Sequence, residues 1–348
     1  LTAHVIKGIK NILSKKGKNA GDSFSSWSHE DLVAFVAPQT TVEKTYVLHE
    51  PIPEISENSE IEIEVEIVSN EDIQKVEVWF QNGNVYESAE LQHDRAYNYL
   101  VAVPENLLKN GFLDYRIIVT TDDSSYTFPS GVEGNPGEWD FYNDGRYRTK
   151  IVEKDQPVYL FNASEDSENI VGEWMSSLNL IPTQNLREAE YQVNVEQLFE
   201  EDIENLDAEP VYDYSFRYNF DRKTRGRRKE LSEKNKLVLK GRALNDKPVK
   251  LQVAFVLENG ASFGKVIEID PGQIEEYEIE ISDLQPVKTV TLPRPYPTFL
   301  PYYFQHGFED DFELEKVESL QFSIGPGLSA AEQQQQHGVG IVFVKLVE

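Results

Sequence analysis

Apolar and acidic side chains alternate along residues 61–67, where Ile61, Ile63, Val65 and Ile67 are separated by glutamates. Successive side chains of a β-strand point to opposite faces, so this pattern predicts a strand with one buried and one wet face. The same period recurs at 76–80, 97–103 and 115–119, and Gln81–Asn84 has the composition of a turn. Short strands at this spacing predict an immunoglobulin-like or fibronectin-like sandwich over residues 49–153.

Further strands are predicted beyond residue 154, with longer connections between them. Their apolar stretches are Val158–Phe161, Tyr191–Val195, Leu237–Lys240, Leu251–Leu257, Tyr277–Ile281, Leu320–Ile324 and Ile341–Leu346. This arrangement favours a larger sandwich, a jelly roll of the galactose-binding-like kind, over residues 154–348. The predicted fold class is therefore all-β, preceded by a short N-terminal helix.

Residues 1–14 have helical periodicity, with an apolar stripe from Leu1 to Leu13 and lysines on or just past the other face. One interpretation is a helix on a membrane surface. The favoured one is the last helix of an upstream domain, so residues 1–48 are interpreted as that helix and a linker. The chain is then expected to be a piece of a larger precursor whose upstream domain is a partner.

Composition narrows the function classes. The chain has 348 residues, a formal net charge of −28 and no cysteine. The charge repels phosphate backbones and makes nucleic acid an unfavourable partner, and the missing cysteines exclude disulfides and thiolate chemistry. No apolar run is long enough to cross a bilayer, so no membrane span is predicted.

Catalytic motifs are missing from the sequence. The six histidines are scattered without metal-ligand spacing, and no nucleophile elbow, P-loop or dinucleotide fingerprint occurs. Acidic residues are so abundant that a glycosidase carboxylate pair could be drawn almost anywhere, which makes such a pair uninformative. We expect no catalytic residue and no cofactor in this chain; a structural calcium ion has no support in the sequence.

Two loops carry unusual numbers of aromatic residues. The first, residues 128–143, combines Gly and Pro with Trp139, Phe141 and Tyr142. It is interpreted either as a platform for sugar rings or as a rigid connection that packs one sandwich on the next, and the second interpretation is favoured. The second loop, residues 292–304, has four prolines, which exclude a helix or a central strand. Its tyrosines 296, 302 and 303 form either a stiff binding loop or a lid over the core, and the two interpretations stand equal.

Residues 222–229 form a basic cluster in an otherwise acidic chain. Arginines in such a cluster suit sulfate or uronate groups. The favoured interpretation is a solvated hairpin tip that pairs with the acidic loop Glu200–Glu209.

A few polar residues interrupt otherwise apolar strands. Gln252 lies between Leu251 and Val253, Gln321 lies between Leu320 and Phe322, and Arg242 ends the strand that begins at Leu237. If the apolar alternates form the core, these three side chains face the opposite side and offer donors to sugar hydroxyls. Ordinary surface positions explain them equally well.

The C-terminal region resembles carbohydrate-binding jelly rolls of family 11 and of the complex-I-intermediate-associated-30-like kind. The segments that carry the resemblance are 237–243, 253–260, 277–284 and 317–324. Loops 128–143 and 292–304 are similar to the C-terminal halves of large secreted Bacteroidetes proteins that process polysaccharides and tend to have a barrel hydrolase upstream. The resemblance implies a secreted, periplasmic or cell-surface location and contact with a glycan, and its motifs are structural rather than catalytic.

The sequence therefore predicts a non-catalytic region that binds or positions a polysaccharide or oligosaccharide. Its predicted contacts are Tyr296, Tyr302, Tyr303, Arg242, Gln252 and Gln321. Two alternatives stay open: the C-terminal part of a glycoside hydrolase whose catalytic barrel is absent from this chain, and a structural spacer without ligand. Whether the protein as a whole is an enzyme stays open with them.

Overall fold

The structure is a computed structural model that describes residues 44–166, 170–171, 178–185, 187–195, 198, 214–289 and 312–348. The predictions made for residues 1–14, for the acidic loop 200–209 and for the proline-rich loop 292–304 lie outside these ranges. The described chain forms two compact units. Of the described residues, one unit contains 44–51 and Ile55–Val152, and the other contains Ile52–Glu54 and those from Glu153 onward.

The described residues are mostly β, which confirms the predicted class at that level. The strands that build the first two sheets are β1 Tyr46–Leu48, β2 Glu54–Ser56, β3 Glu62–Val68, β4 Ile73–Asn82, β5 Val85–Glu90, β6 Gln92–Arg95, β7 Asn98–Ala102, β8 Gly111–Thr121, β9 Ser125–Phe128, β10 Val132–Glu133 and β11 Tyr147–Val152. A short 3₁₀ helix, Glu105–Leu107, precedes β8.

Two antiparallel sheets make up the first unit. Sheet A has the strand order β1-β3-β7-β6. Sheet B is built on β8, which pairs with β4 along one edge while β11 and β9 share the other edge. The alternation predicted at residues 61–67 is confirmed, since Ile63, Val65 and Ile67 are buried between exposed glutamates.

The second unit contains the remaining strands, which are β12 Val158–Asn162, β13 Ile170–Val171, β14 Leu178–Pro182, β15 Ala189–Val195, β16 Tyr214–Asn219, β17 Lys236–Ala243, β18 Val249–Leu257, β19 Ser262–Ile269, β20 Glu275–Glu280, β21 Gln285–Pro286, β22 Val317–Ile324 and β23 His337–Val347. Its helices are α1 Ala163–Asp166, α2 Asp221–Thr224 and α3 Ala330–Gln333, and its 3₁₀ helices are Arg225–Glu233, Ile281–Asp283 and Leu314–Lys316.

These strands form sheets C and D, which enclose a shared hydrophobic core. Sheet C has the order β14-β15-β23-β17-β20, with β12 also on β23, and sheet D has the order β13-β16-β22-β18-β19-β21. Val193, Leu239 and Val344 enter the core from sheet C, and Phe216 and Phe322 enter it from sheet D. The second unit is therefore a two-sheet sandwich whose strands each have one core-facing and one outward face.

Candidate functional site

Two of the residues that the sequence singled out lie on one face of sheet D. Gln252 on β18 and Gln321 on β22 alternate with core residues, among them Val253 and Phe322. The side chains of both glutamines therefore point away from the core, as the alternation predicted. The strands are direct neighbours, with Ala254 opposite Gln321 and Ser323 opposite Gln252.

Register across the four central strands of sheet D extends this pair into a patch of polar and small residues, here called the polar face. Its three rows, read from β16 through β22 and β18 to β19, are Ser215, Ser323, Gln252 and Val266; Arg217, Gln321, Ala254 and Gly264; and Asn219, Ser319, Val256 and Ser262. Most of these side chains are small, and the long polar ones are Arg217, Gln252 and Gln321.

Gln321 is held in one orientation by Arg217. The guanidinium Nε and Nη2 of Arg217 donate to Gln321 Oε1 over 3.1 and 2.6 Å. An arginine offers only donors, so the oxygen of the Gln321 amide must face it and its nitrogen must point the other way. Burial lowers the pKa of the Arg217 guanidinium, and the nearby charge of Glu318 opposes that shift.

The amide nitrogen of Gln321 has no hydrogen-bond partner. It is one of two buried side-chain polar atoms in this state among the described residues, the other being the Ser56 hydroxyl. Gln321 has 0% of its surface exposed. A buried donor without an acceptor costs about 1–3 kcal/mol, so this position calls for an acceptor that the described chain does not supply.

Four other polar residues of this face have paired side chains. Ser215 Oγ and Ser323 Oγ are 2.7 Å apart, and Ser262 Oγ lies 2.7 Å from Thr289 Oγ1. The Gln252 amide nitrogen donates to the carbonyl of Lys288 over 3.1 Å. Residues 287–289 therefore lie along the β18–β19 side of the polar face. Most residues of the face are buried, whereas Asn219 and Val266 at its margins are exposed.

The described residues that flank the proline-rich loop are both attached to sheet D. Thr289 is buried beside Ser262, and the ring of Phe312 packs on Phe255 and Phe263 with centroids 5.9 and 5.1 Å apart. Tyr296, Tyr302 and Tyr303 themselves lie outside the described residues.

Arg242 lies on the other sheet. It extends from β17 in sheet C, where its guanidinium binds Glu190 through Nη2 at 2.6 Å and Nε at 3.0 Å. These hydrogen bonds and the charge of Glu190 raise the pKa of Arg242, against the opposing effect of burial. Lys240 pairs with Glu188 nearby, so this face of sheet C is a ladder of ion pairs. The structure thus brings Gln252 and Gln321 together and places Arg242 apart from them.

The basic cluster at 222–229 is not a solvated hairpin tip, and that prediction is wrong. The segment is helical, and Arg227 is only 2% exposed. Its guanidinium binds Glu54, Glu230 and the carbonyls of Gln156 and Pro157. The cluster belongs to the fold because burying the guanidinium satisfies carboxylates and carbonyls that would otherwise lack donors.

A cleft of about 760 Å³ lies at one end of the sandwich, between the β17–β18 turn and helix α3. Lys250 crosses it to bind Glu332 at 3.0 Å. Ser329 caps helix α3 and donates to the same carboxylate, and these bonds lower the pKa of Glu332 to about 2. The cleft is lined by charges of both signs, of which Lys250 and Glu332 pair with each other.

Within the described ranges, no three His, Asp or Glu side chains group as metal ligands, and no helix is long and apolar enough to cross a membrane.

Sequence reasoning missed Arg217 and the serines of the polar face. The signal was present in β16, where Tyr214, Phe216 and Tyr218 alternate with Ser215 and Arg217. A period of two with large aromatic residues predicts a strand with one buried face. Gln321 could not be recognised as buried from sequence, because its burial depends on what covers the outward face.

Comparison with known proteins does not assign this chain to a family. No protein-family model matches the chain. No curated protein matches it either. Among solved structures, an agarase aligns with 55% of this chain and 26% of its own at 12% identity and a TM-score of 0.30. An exo-β-agarase aligns with 55% of this chain and 25% of its own at 11% identity and a TM-score of 0.35.

An endo-β-1,4-mannanase from Thermotoga petrophila aligns over 36% of this chain and 23% of its own, at 12% identity and a TM-score of 0.23. The chain thus spans about a quarter of the length of these proteins and is distantly similar in structure to parts of them. Similarity at these TM-scores assigns neither a family nor a function.

Proposed function

We propose that this chain is a non-catalytic glycan-binding region of a polysaccharide-processing protein and that the polar face of sheet D contacts the glycan. The observation that carries the proposal is the amide nitrogen of Gln321, which is buried, fixed in direction by Arg217 and without an acceptor. A sugar hydroxyl supplies such an acceptor and can donate in turn to a neighbouring serine.

The composition of the polar face favours a neutral glycan. Arg217 is the one full positive charge among the twelve residues of its three rows, and its guanidinium already binds Gln321. The chain as a whole has a charge of −28, which repels sulfated or uronate polymers. Sugar sites combine a few fixed polar groups with apolar surface, and Tyr296, Tyr302 and Tyr303 are proposed to supply the aromatic surface.

Because its two glutamines are buried, the polar face can bind a glycan only after a conformational change. Gln321 and Gln252 expose almost no surface, so a glycan reaches them only if the polar face opens. On the β19 side, the described residues hold it closed through Gln252 to the Lys288 carbonyl, Ser262 to Thr289, and the backbone bond from Val287 to Ser262. Arg242, bound to Glu190 on the other sheet, has no part in this contact.

A finer fold assignment forms part of the proposal. Sheet A has the order β1-β3-β7-β6, and sheet B runs from β5 through β4 and β8 to β9 and β11. This agrees with the A-B-E-D and C′-C-F-G strand orders of immunoglobulin-like sandwiches. We assign the first unit to that class and the second to the jelly rolls.

The rival is a structural spacer, which the mutual pairing of Ser215 with Ser323 and of Ser262 with Thr289 favours. In that case the polar face is an internal layer and binds nothing. The remaining alternative, a catalytic domain in the same secreted precursor, rests on sequence resemblance. It is tested by comparing reducing-sugar release from the longest available precursor and from this chain, which alone should release none.

Affinity electrophoresis in gels containing neutral galactomannan or xyloglucan tests the proposal. Gln321→Glu keeps an oxygen facing Arg217 but removes the free donor, so retardation should weaken about two- to ten-fold while the melting temperature holds. Gln92→Glu on the exposed strand β6 is the charge-matched control and should bind like wild type. Arg242→Gln should also leave binding unchanged.

Two results would show that the chain is a structural spacer rather than a glycan-binding region. One is a wild-type chain that none of the neutral polysaccharides retards. The other is a Gln321→Glu variant whose retardation equals that of wild type.

A further inference from the structure

The loop between β9 and β11, residues 129–146, is here called the aromatic loop. It contains the two most exposed large hydrophobic residues of the described chain, Trp139 at 90% and Tyr142 at 88%. A tryptophan usually buries most of its surface. The interpretation that this loop serves only as a packed connection does not account for these two side chains, which are exposed.

Hydrogen bonds fix the C-terminal half of the loop. Arg116 on β8 donates from Nε to the Gly145 carbonyl over 2.9 Å and from Nη2 to the Asn143 carbonyl over 3.1 Å. The Asn143 side-chain oxygen accepts from the Gly145 amide and from the Ser130 hydroxyl, both over 2.7 Å. Both ends of the loop are thus tied together and to sheet B.

The N-terminal half is built from successive turns. The amide of Glu138 donates to the Asn135 carbonyl over 2.9 Å, and the amide of Phe141 donates to the Glu138 carbonyl over 3.2 Å. Gly137 approaches Trp79 so closely that an added Cβ would lie 3.0 Å from its ring. The loop therefore presents Trp139 and Tyr142 from an ordered backbone, and little conformational entropy is lost when a ligand covers them.

We propose that the aromatic loop is a second saccharide-binding site, on the first unit, in which Trp139 and Tyr142 stack on the rings of a neutral glycan. The flat faces of these side chains suit the apolar faces of pyranose rings. Asp140 and Asp144 are exposed and accept no hydrogen bond from the described residues, so both carboxylates can receive sugar hydroxyls.

The acidic surroundings decide between possible ligands. Glu138, Asp140 and Asp144 are all exposed and lie within two residues of Trp139 or Tyr142 in the chain, and they repel a sulfated or uronate glycan. A docked protein is disfavoured because the cores of protein interfaces are depleted in Asp and Glu. A quaternary ammonium ligand needs a cage of rings over its charge, whereas each of these rings is open to solvent. The site involves no residue of the polar face of sheet D and stands if that proposal fails.

Acrylamide quenching of tryptophan fluorescence in the full chain measures how accessible Trp139 is to solvent and so tests this site. Neutral hexasaccharides of β-linked glucose, mannose and galactose are the probes. The expected result is that at least one of them reduces the Stern–Volmer slope of the wild type and leaves that of Trp139→Ala unchanged. Tyr142→Ala should bind the same sugar about five-fold more weakly.

Matched variants separate the site from the rest of the chain. Tyr86→Ala removes another exposed aromatic residue of the same unit, outside the loop, and should behave like wild type. In Gln321→Glu, the sugar should still protect Trp139 from acrylamide as fully as it does in the wild type. Trp139→Ala should melt at the wild-type temperature, because its exposed ring contributes nothing to the core.

Four outcomes would overturn the proposal. The first is that no neutral hexasaccharide protects Trp139 from acrylamide, and the second is that a sulfated galactan fragment or choline protects it equally well. The third is protection that increases with protein concentration in the absence of sugar. The fourth is loss of the sugar's protective effect in Tyr86→Ala.

Discussion

At the scale of single residues, the described structure separates polar side chains that build the fold from those left with unmet hydrogen bonds. Arg227 and Gln321 are both buried. The donors of Arg227 reach two carboxylates and two carbonyls, whereas the amide nitrogen of Gln321 reaches nothing. Sequence patterns cannot make this distinction, because they show only that a polar residue interrupts an apolar strand.

Arg227 is predicted to be essential for stability. Arg227→Met leaves Glu54, Glu230 and the carbonyls of Gln156 and Pro157 without their donor. Breaking a buried ion pair from one side costs about 3–5 kcal/mol, which urea unfolding should show as a lower midpoint. Lys265→Met breaks an exposed pair with Asp283 and should cost about 1 kcal/mol or less. Equal losses in the two variants would contradict this view of Arg227.

Glu332 is predicted to make stability depend on acid pH. The backbone and hydroxyl of Ser329, together with Lys250, lower its pKa to about 2. A carboxylate whose pKa falls on folding stabilises the protein above its unfolded pKa, near 4.5, and that contribution is lost as pH falls toward 2. The difference in melting temperature between wild type and Glu332→Gln should therefore be largest above about pH 5 and shrink below it. A difference that does not change with pH would contradict the assignment.

At the scale of elements, period-two alternation predicted β3, β4, β7 and β8 in the first unit. In the second unit, apolar stretches predicted β12, β15, β17, β18, β20, β22 and β23. Neither signal led to β19 or to β16, although the aromatic residues of β16 alternate with Ser215 and Arg217. The basic segment 222–229 was misread because a buried arginine and an exposed one look the same in sequence.

The hydrophobic pattern of the sequence also did not reveal that two strands pair with the same edge of a third. β23 pairs with β17 along one edge, and its other edge is divided between β15 and β12. Such pairing depends on which distant segments meet at an edge, and local periodicity carries no information about that. The polar face was therefore only half predictable: its glutamines followed from alternation, but their neighbours on β16 followed from register.

Gly241 is predicted to be required where β17 bulges against β23. The register shifts between Lys240 and Gly241, and a Cβ on Gly241 would lie 2.5 Å from the Gly340 carbonyl oxygen. The backbone of a central strand cannot yield, so Gly241→Ala should destabilise the protein by about 1–3 kcal/mol in chemical unfolding. Gly340→Ala, whose Cβ would meet the side-chain carboxylate of Glu190 rather than backbone, should cost less. The reverse order would show that the bulge is not tightly packed.

At the scale of the whole molecule, the net charge bears on which glycans the proposed sites could bind. The chain has a charge of −28, and its basic side chains at 223, 227, 228, 240 and 242 are bound to its own carboxylates. A strongly acidic surface discriminates against polyanions at long range. A neutral glycan meets no such barrier, and hydroxyl groups match the amides and serines of the polar face.

The central claim is that a neutral glycan binds the polar face through Gln321. The most direct test follows the side-chain amide signals of Gln321 and Gln252 by NMR during titration with a neutral oligosaccharide, assigned with Gln321→Glu and Gln252→Glu. Gln192 on sheet C, whose amide donates to Glu190, is the internal control. The proposed contact predicts saturable shifts of Gln321 and Gln252, a silent Gln192, and no response to a sulfated galactan of equal length. Shifts confined to other residues, or Gln321 unmoved at saturating sugar, would contradict it.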